Sequence, residues 1–294
     1  MIAFGLMEEQ PKILLVAGPT ASGKSSRAVE EALKRNGEII SVDSRQVYRM
    51  LDIGTEKITA EEMCGVPHHL IDIRDPKESY SAGDFVEDAT LLIGDITARD
   101  KLPILVGGTH FYFDALLHGL PARIAPDPEL REKFEKLSTI LLFARIRERD
   151  PRRAAELDPK NRRRLIRALE IIEVAGFVPK RAFKNSAIAG NLNVEWIVLD
   201  PPSEELKKRI ETRLRNAFLR GLVDEVRRVR DCVGNTRLNE FGLEYRIIGE
   251  YLRLPAGRQA KNPDESLLPA LSAKLWQLAR HQRAWLRKLG HPMS

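Results

Sequence analysis

Gly18-Pro-Thr-Ala-Ser-Gly23-Lys24-Ser25 constrains this chain more than any other stretch. It fits G-x-x-x-x-G-K-[ST], a loop whose backbone N–H groups curl around a phosphate chain. The run before it, Ile13-Leu-Leu-Val-Ala17, is short and apolar, which predicts a buried parallel strand. Residues Ser26 to Lys34 suit a helix. Strand, glycine loop and helix in that order aim the loop amides inward, and the helix N-terminus adds about half a positive charge. Gly18, Pro19, Thr20, Ala21, Ser22 and Gly23 form the cradle, Lys24 offers a cation to the outer phosphates, and the Ser25 hydroxyl can reach Mg²⁺. The expected fold is α/β, a P-loop NTPase-like parallel sheet core able to handle a di- or triphosphate.

Further short apolar runs continue the pattern. Ile39, Ile40 and Val42 predict a second strand, with Asp43 at the C-terminal end where open parallel sheets bind ligands. Ser81 or Asp84 could cap a helix running to about Arg99. Pro103-Ile-Leu-Val-Gly107-Gly108-Thr109 reads as a third buried strand ending in two glycines, followed by a helix from Phe111 to His118. After Leu120 strand signals fade, Pro121, Pro126 and Pro128 interrupt the chain, and arginine-rich helical segments follow, with Leu165, Ile166, Leu169 and Ile172 at helical spacing. Strand character returns at Val194-Glu-Trp-Ile-Val-Leu199. The expected organisation is a core of residues 1–120 and 192–294 with a helical insertion over 121–191. Leu254 to Pro269, with three prolines, reads as a loop, and Leu271, Leu275, Leu278, Gln282, Trp285 and Leu289 share one face of a final helix.

With 43% hydrophobic and 31% charged residues the chain should be soluble and globular. No apolar run nears the roughly 20 residues that span a bilayer, and the N-terminus lacks a secretory pattern. Cys64 and Cys232 form no metal or disulfide pattern, so a cytoplasmic location is expected. The adjacent His68 and His69 lack the further ligands a metal needs and read as packing residues. The net charge of +6 says less than its distribution: between Arg145 and Arg167 stand nine arginines and one lysine against four acids. After Glu265 no acid occurs, while Lys274, Arg280, Arg283, Arg287 and Lys288 do. Such clusters suit either nucleic acid or a solvated helix face.

Kinases and NTPases with this loop usually carry an acid on a later apolar strand to help hold Mg²⁺. Here the strand at Ile104-Leu-Val106 ends in Gly-Gly-Thr, and the candidate acid is Asp43 on the second strand. A nucleotide or small-molecule kinase therefore stays open but weakened.

Several segments in order resemble the tRNA dimethylallyltransferases, also called tRNA isopentenyltransferases. They are the glycine loop, Ile40-Ser-Val-Asp-Ser44, Asp52-Ile-Gly-Thr55, Pro67-His68, Leu70-Ile-Asp-Ile-Arg-Asp-Pro76, Tyr80-Ser-Ala82, Leu105-Val-Gly-Gly-Thr109, Arg164-Leu-Ile-Arg-Ala-Leu-Glu170, Arg209-Ile210 with Arg213, Gly221-Leu222 with Glu225-Val226, and Gln282 with Trp285 and Arg287. The resemblance implies transfer of a dimethylallyl group from dimethylallyl diphosphate to the exocyclic amine of the adenosine 3′ of the anticodon, with tRNA (its anticodon stem-loop) as partner. It also implies roles. Arg213 would join the loop in holding the diphosphate. Asp43 would act as general base and Thr109 would hydrogen-bond the acceptor amine. Asp43, Ser44, Arg45 and Gln46 would meet the target nucleotide, and Arg131, Arg163, Arg164 and Arg167 would touch tRNA. Arg280 and Arg283 would extend that surface. Trp276 and Trp285 read as core anchors. No membrane is implied, and a monomer is expected.

The chain departs from the family at Phe241-Gly-Leu-Glu-Tyr-Arg246, where Gly-Tyr-Lys/Arg-Glu is usual, at less basic tail runs around Trp276 and Arg280, and at a short stretch between Lys133 and Arg149. The resemblance places all three in RNA-facing regions. The competing readings are a prenyltransferase acting on free adenylate, a kinase, and a non-catalytic RNA-binding protein that uses a nucleotide structurally.

Overall fold

The protein is described by a computed structural model covering residues 12–120, 124, 127–179, 193–255 and 262–288. Among the described residues five strands, β1 (Lys12–Ala17), β2 (Gly37–Val42), β3 (His68–His69), β4 (Leu102–Gly107) and β5 (Asn193–Val198), form one sheet in the order β3-β2-β4-β1-β5. All pairings are parallel. Leu14, Leu15, Ile39, Ile104 and Leu105 are fully buried, as central parallel strands covered on both faces require. The order has a consequence for function. β4 lies between β1 and β2, so the chain emerging from each of the three meets at one sheet edge: the glycine loop, Asp43 and Gly108-Thr109.

Gly107 makes that edge tight. A Cβ there would lie 2.0 Å from the Val42 carbonyl oxygen, so no other residue fits the approach of β4 to β2. The same carbonyl accepts the Thr109 N–H at 3.2 Å. At the other end of β2 the buried Glu38 is balanced by Arg99, Lys101 and His69 at 2.5, 2.7 and 2.8 Å. The Arg99 guanidinium, aided by Lys101 and His69, holds the Glu38 carboxyl well below the usual range. His69 thus serves the sheet, as does His68, whose Nδ1 bonds the Val66 carbonyl at 2.8 Å.

The helices are α1 (Lys24–Arg35), α2 (Ala82–Ala98), α3 (His110–His118), α4 (Pro128–Glu135), α5 (Thr139–Arg149), α6 (Pro151–Glu156), α7 (Arg162–Ala175), α8 (Ser203–Leu219), α9 (Leu222–Leu238), α10 (Leu243–Leu252) and α11 (Pro263–Lys288). Both candidate caps of α2 are used: Ser81 accepts from the Gly83 and Asp84 N–H groups while Asp84 accepts from the Ser81 N–H, a reciprocal capping box. Two compact units result, one of Met1–Asp114 with Asn191–Ser294, the other of Ala115–Gly190. The first carries the sheet. The second is helical among its described residues, and packs Phe134, Leu142, Ile146, Leu165, Leu169 and Ile172 into its own core. Pro121 and Pro126 lie outside the described residues.

The tail differs from expectation. α11 begins at Pro263, inside the expected loop, and Pro269 lies within it. A proline at a helix start loses only an N–H that has no helical partner anyway. Pro269 forfeits one intrahelical bond, which burial of Leu267, Leu271, Leu275, Ala279 and Leu286 offsets. Leu278 is exposed rather than on the buried face, and Leu289 and the 256–261 part of the expected loop lie outside the described residues. Among the described residues no helix is long and apolar enough to cross a membrane.

Candidate active site

The glycine loop is built to receive an anion. Ala21 and Gly23 adopt left-handed backbone (φ 62° and 88°), which curls the chain. α1 starts directly at Lys24, with Gly23 as N-cap, no side-chain cap and no acid in its first turn. Its first N–H groups therefore lack a side-chain acceptor, the arrangement that draws negative charge. A Cβ on Gly18 would meet Ser22 Oγ at 2.5 Å and the Leu199 carbonyl oxygen at 2.9 Å. The Ser22 hydroxyl is buried with no partner among the described residues, and Ser25 is exposed in the first turn of α1.

Cations converge on this loop. Burial pulls the Lys24 amine down to about 8, with the Asp43 charge opposing the shift and Arg213 adding to it. Asp43 and Arg213, from different elements, therefore both lie within electrostatic reach of Lys24. Arg213 and Arg209 stand one turn apart on α8. Arg213 donates to the Thr20 hydroxyl and pairs with Glu244 at 3.4 Å and Glu56 at 3.6 Å. Arg209 Nη1 donates to the Ser22 carbonyl oxygen at 3.2 Å. Burial pushes the Glu56 carboxyl up.

On the acceptor side, Asp43 Oδ1 accepts the Arg45 N–H at 2.9 Å and the Gln46 N–H at 3.4 Å. Among the described residues Oδ2 takes no hydrogen bond, so this carboxylate both caps its turn and keeps an acceptor oxygen. Thr109 Oγ1 accepts the Ser44 N–H at 3.0 Å, tying the loop after β4 to the loop after β2. The Gln46 side chain is spent internally: its amide donates to the Thr55 and Glu56 carbonyls at 3.1 and 3.2 Å and its oxygen accepts from Ser41 at 3.1 Å. It shapes the loop rather than presenting a free amide. Arg45 packs against Gly242, where a Cβ would come 2.6 Å from its Nε.

Glu225, Tyr245 and Gln282, whose roles no local sequence signal announces, tie this site together. Glu225 on α9 accepts the N–H groups of Asp52, Ile53 and Gly54 at 3.0, 2.7 and 2.9 Å, and the Tyr245 hydroxyl at 2.6 Å. Burial, then the Glu225 charge, pushes the Tyr245 hydroxyl well above its usual range and keeps it a donor. Gln282 on α11 accepts the Thr20 N–H at 2.8 Å and donates to the Gly108 carbonyl at 3.1 Å. The atypical Phe241–Arg246 segment, expected to face RNA, instead supplies Glu244 to Arg213 and Tyr245 to Glu225.

His110 stacks on Trp285 (centroids 4.2 Å apart, 5° between planes), and burial with nearby Lys24 pulls its imidazole down to about 4. Trp285 and Trp276 are half-buried, and Lys207 lies over the Trp276 ring at 5.1 Å.

The basic residues divide sharply. In the helical unit Arg131 and Arg167 both grip the buried Glu170, at 2.8 and 2.9 Å. Arg162 donates to the Glu135 and Leu137 carbonyls at 2.6 Å each. Arg145, Arg147, Arg163 and Arg164 are exposed, and their guanidinium groups make no hydrogen bond or ion pair among the described residues. In the sheet unit Arg283 is held by Asp200 at 2.5 Å and Ser203 at 2.7 Å, whereas Arg280 is exposed and free of such contacts among the described residues.

The comparisons with known proteins agree on one family. The family model described as IPP transferase matches residues 46–289. A tRNA dimethylallyltransferase of Roseiflexus sp. (strain RS-1) is 39% identical over 289 residues, 96% of this chain and 92% of the relative. One from Halalkalibacterium halodurans is 43% identical over 232 residues, 75% and 74% of the two chains. Among solved structures, the tRNA isopentenylpyrophosphate transferase of Bacillus halodurans matches with a TM-score of 0.66 at 37% identity, covering 95% of this chain and 87% of that one. A eukaryotic dimethylallyltransferase acting on tRNA matches with a TM-score of 0.78 at 27% identity, covering 94% and 69%. Similarity of this extent along nearly the whole length places the chain in the tRNA dimethylallyltransferase (IPP transferase) family.

Proposed function

We propose that the protein transfers the dimethylallyl group of dimethylallyl diphosphate to the exocyclic N6 amine of the adenosine immediately 3′ of the anticodon in tRNA. The observation that carries this reading is the convergence at one sheet edge of an uncapped anion-binding loop, flanked by Lys24 and Arg213, with the Asp43 carboxylate and Thr109.

The adenine amine is a weak nucleophile, because its lone pair is delocalised into the ring. The allylic carbon tolerates cationic character as its C–O bond breaks. Stabilising the departing diphosphate and orienting the acceptor are therefore the main tasks. The uncapped amides at the start of α1, the Lys24 amine, the Ser22 hydroxyl and Arg213 take up the developing negative charge. As the N–C bond forms, the amine nitrogen loses a proton to Asp43. Thr109 and the Asp43–Gln46 turn align the acceptor. The exposed Ser25 hydroxyl offers one hard oxygen. That suits a hard cation such as Mg²⁺. Ser25 would hold Mg²⁺ at this loop, and the ion would supply positive charge beside the leaving group.

Adenine reaches such a site only out of its stack, so the anticodon loop presents it flipped. Arg163, Arg164, Arg145 and Arg147, exposed on the helical unit, suit phosphate contacts that position the RNA. Arg131 and Arg167 contribute through the fold of that unit. Two free thiols and a tRNA substrate favour the cytoplasm, and we expect a monomer.

The test combines the protein, Mg²⁺, dimethylallyl diphosphate and unmodified tRNA, then measures nucleosides by mass. Prenylated adenosine is expected. Transfer to free adenylate with none to tRNA, or phosphorylation of a small acceptor, would overturn the proposal.

A further inference from the structure

Gln282 is the one buried side chain among the described residues that bonds both the diphosphate loop and the acceptor loop. A backbone N–H can only donate and a carbonyl can only accept. Thr20 N–H and Gly108 C=O therefore fix which end of the amide faces which loop. The chain continues from Gly108 directly to Thr109, whose hydroxyl holds the Ser44 N–H beside Asp43. A short path of hydrogen bonds thus runs from the loop that grips the leaving group to the turn that carries the base. α11 itself is pinned near this point by the stack of Trp285 on His110 and by the Arg283–Asp200 pair.

We propose that Gln282 is a positioning residue for prenyl transfer: its amide sets the spacing between the diphosphate loop and the Gly108-Thr109 acceptor loop. This rests on the functional reading above. It does not touch substrate. It acts through Thr20 on one side and through Gly108 and Thr109 on the other. Removing the amide leaves each loop folded but unlinks them, so the bound carbon and the acceptor nitrogen lose their alignment. Misplacement by about 1 Å in such a step costs on the order of 100-fold in rate.

Two variants test it. Gln282→Met keeps the volume and deletes both hydrogen bonds. Gly108→Ala keeps Gln282, but its methyl would lie 3.0 Å from Gln282 Nε2 and displace the amide. The measurements are kcat and KM for transfer, binding of inorganic pyrophosphate by calorimetry, and melting temperature. The expected result is a fall in kcat of about 10- to 100-fold in Q282M. G108A should change kcat in the same direction, with pyrophosphate affinity within about threefold of wild type in both. An unchanged kcat in a folded Q282M would reduce Gln282 to a packing residue and overturn the inference. Parallel loss of pyrophosphate binding and kcat would overturn it too, making Gln282 part of the anion site. If Q282M does not fold, G108A alone decides by the same criteria. Failure of the functional reading shows itself separately, in a wild-type protein that binds pyrophosphate yet transfers nothing, and the inference falls with it.

Discussion

Glu225→Gln replaces one carboxylate oxygen with an amide NH₂ at the centre of a buried network, and the cost follows from geometry. Oε2 accepts the Asp52 and Ile53 N–H groups, whereas Oε1 accepts the Gly54 N–H and the Tyr245 hydroxyl. With the new NH₂ at the Oε2 position, two N–H donors would face a donor. At the Oε1 position only the Gly54 N–H is stranded, because the Tyr245 hydroxyl can turn and accept. The second orientation wins. It costs about 1–3 kcal/mol for the orphaned N–H, plus part of the charge assistance in the other bonds, roughly 2–4 kcal/mol in all. For a chain of this size each kcal/mol lowers the melting temperature by about 2–4 °C, so a drop of roughly 5–15 °C is expected by circular dichroism. Tyr245→Phe loses one bond and leaves Glu225 its three backbone donors, so it should cost only about 1 kcal/mol. A Glu225→Gln protein melting within 2 °C of wild type, or a Tyr245→Phe protein melting below Glu225→Gln, would refute this account of the Asp52–Thr55 loop.

Three further outcomes are expected. Replacing Arg131 and Arg167 together with Ala strands the buried Glu170 carboxylate, which should cost about 3–5 kcal/mol in denaturant unfolding, more than Glu170→Leu costs. Replacing Arg163 and Arg164 with Ala should weaken tRNA binding and lower its salt slope by one to two counterions, without changing the melting temperature or pyrophosphate binding. Because burial lowers the Lys24 amine to about 8, the charged form fades as pH rises through that value. Pyrophosphate binding should therefore take up protons between about pH 8 and 9, and calorimetry in buffers of different ionisation enthalpy should lose this uptake in Lys24→Met.

Local signals were legible in the sequence, and distant partnerships were not. The glycine loop, the apolar strands and the Ser81 cap depend on neighbours a few residues apart, and the structure has all of them. Gln282 meets Thr20 across 262 positions and Glu225 meets Gly54 across 171, and nothing in composition or periodicity announces either bond. Charge counting could not separate Arg163, exposed, from Arg167, folded onto Glu170 three residues on. The Arg131 end of that cluster lies 39 positions away. The family departure at Phe241–Arg246 was visible, but the side to which Glu244 and Tyr245 turn was not. Only the packing of α10 shows it turned toward Arg213 and Glu225. Prolines at 263 and 269 argued for a loop, and long-range burial of α11 outweighed them.

The most direct test of the central claim follows both products of one turnover on a single unmodified tRNA. Pyrophosphate released from dimethylallyl diphosphate should equal, mole for mole, the prenyl group gained by one adenosine, and Asp43→Ala should abolish both together. Pyrophosphate release with no carbon on the RNA, or a phosphoryl group moved from ATP instead, would contradict it.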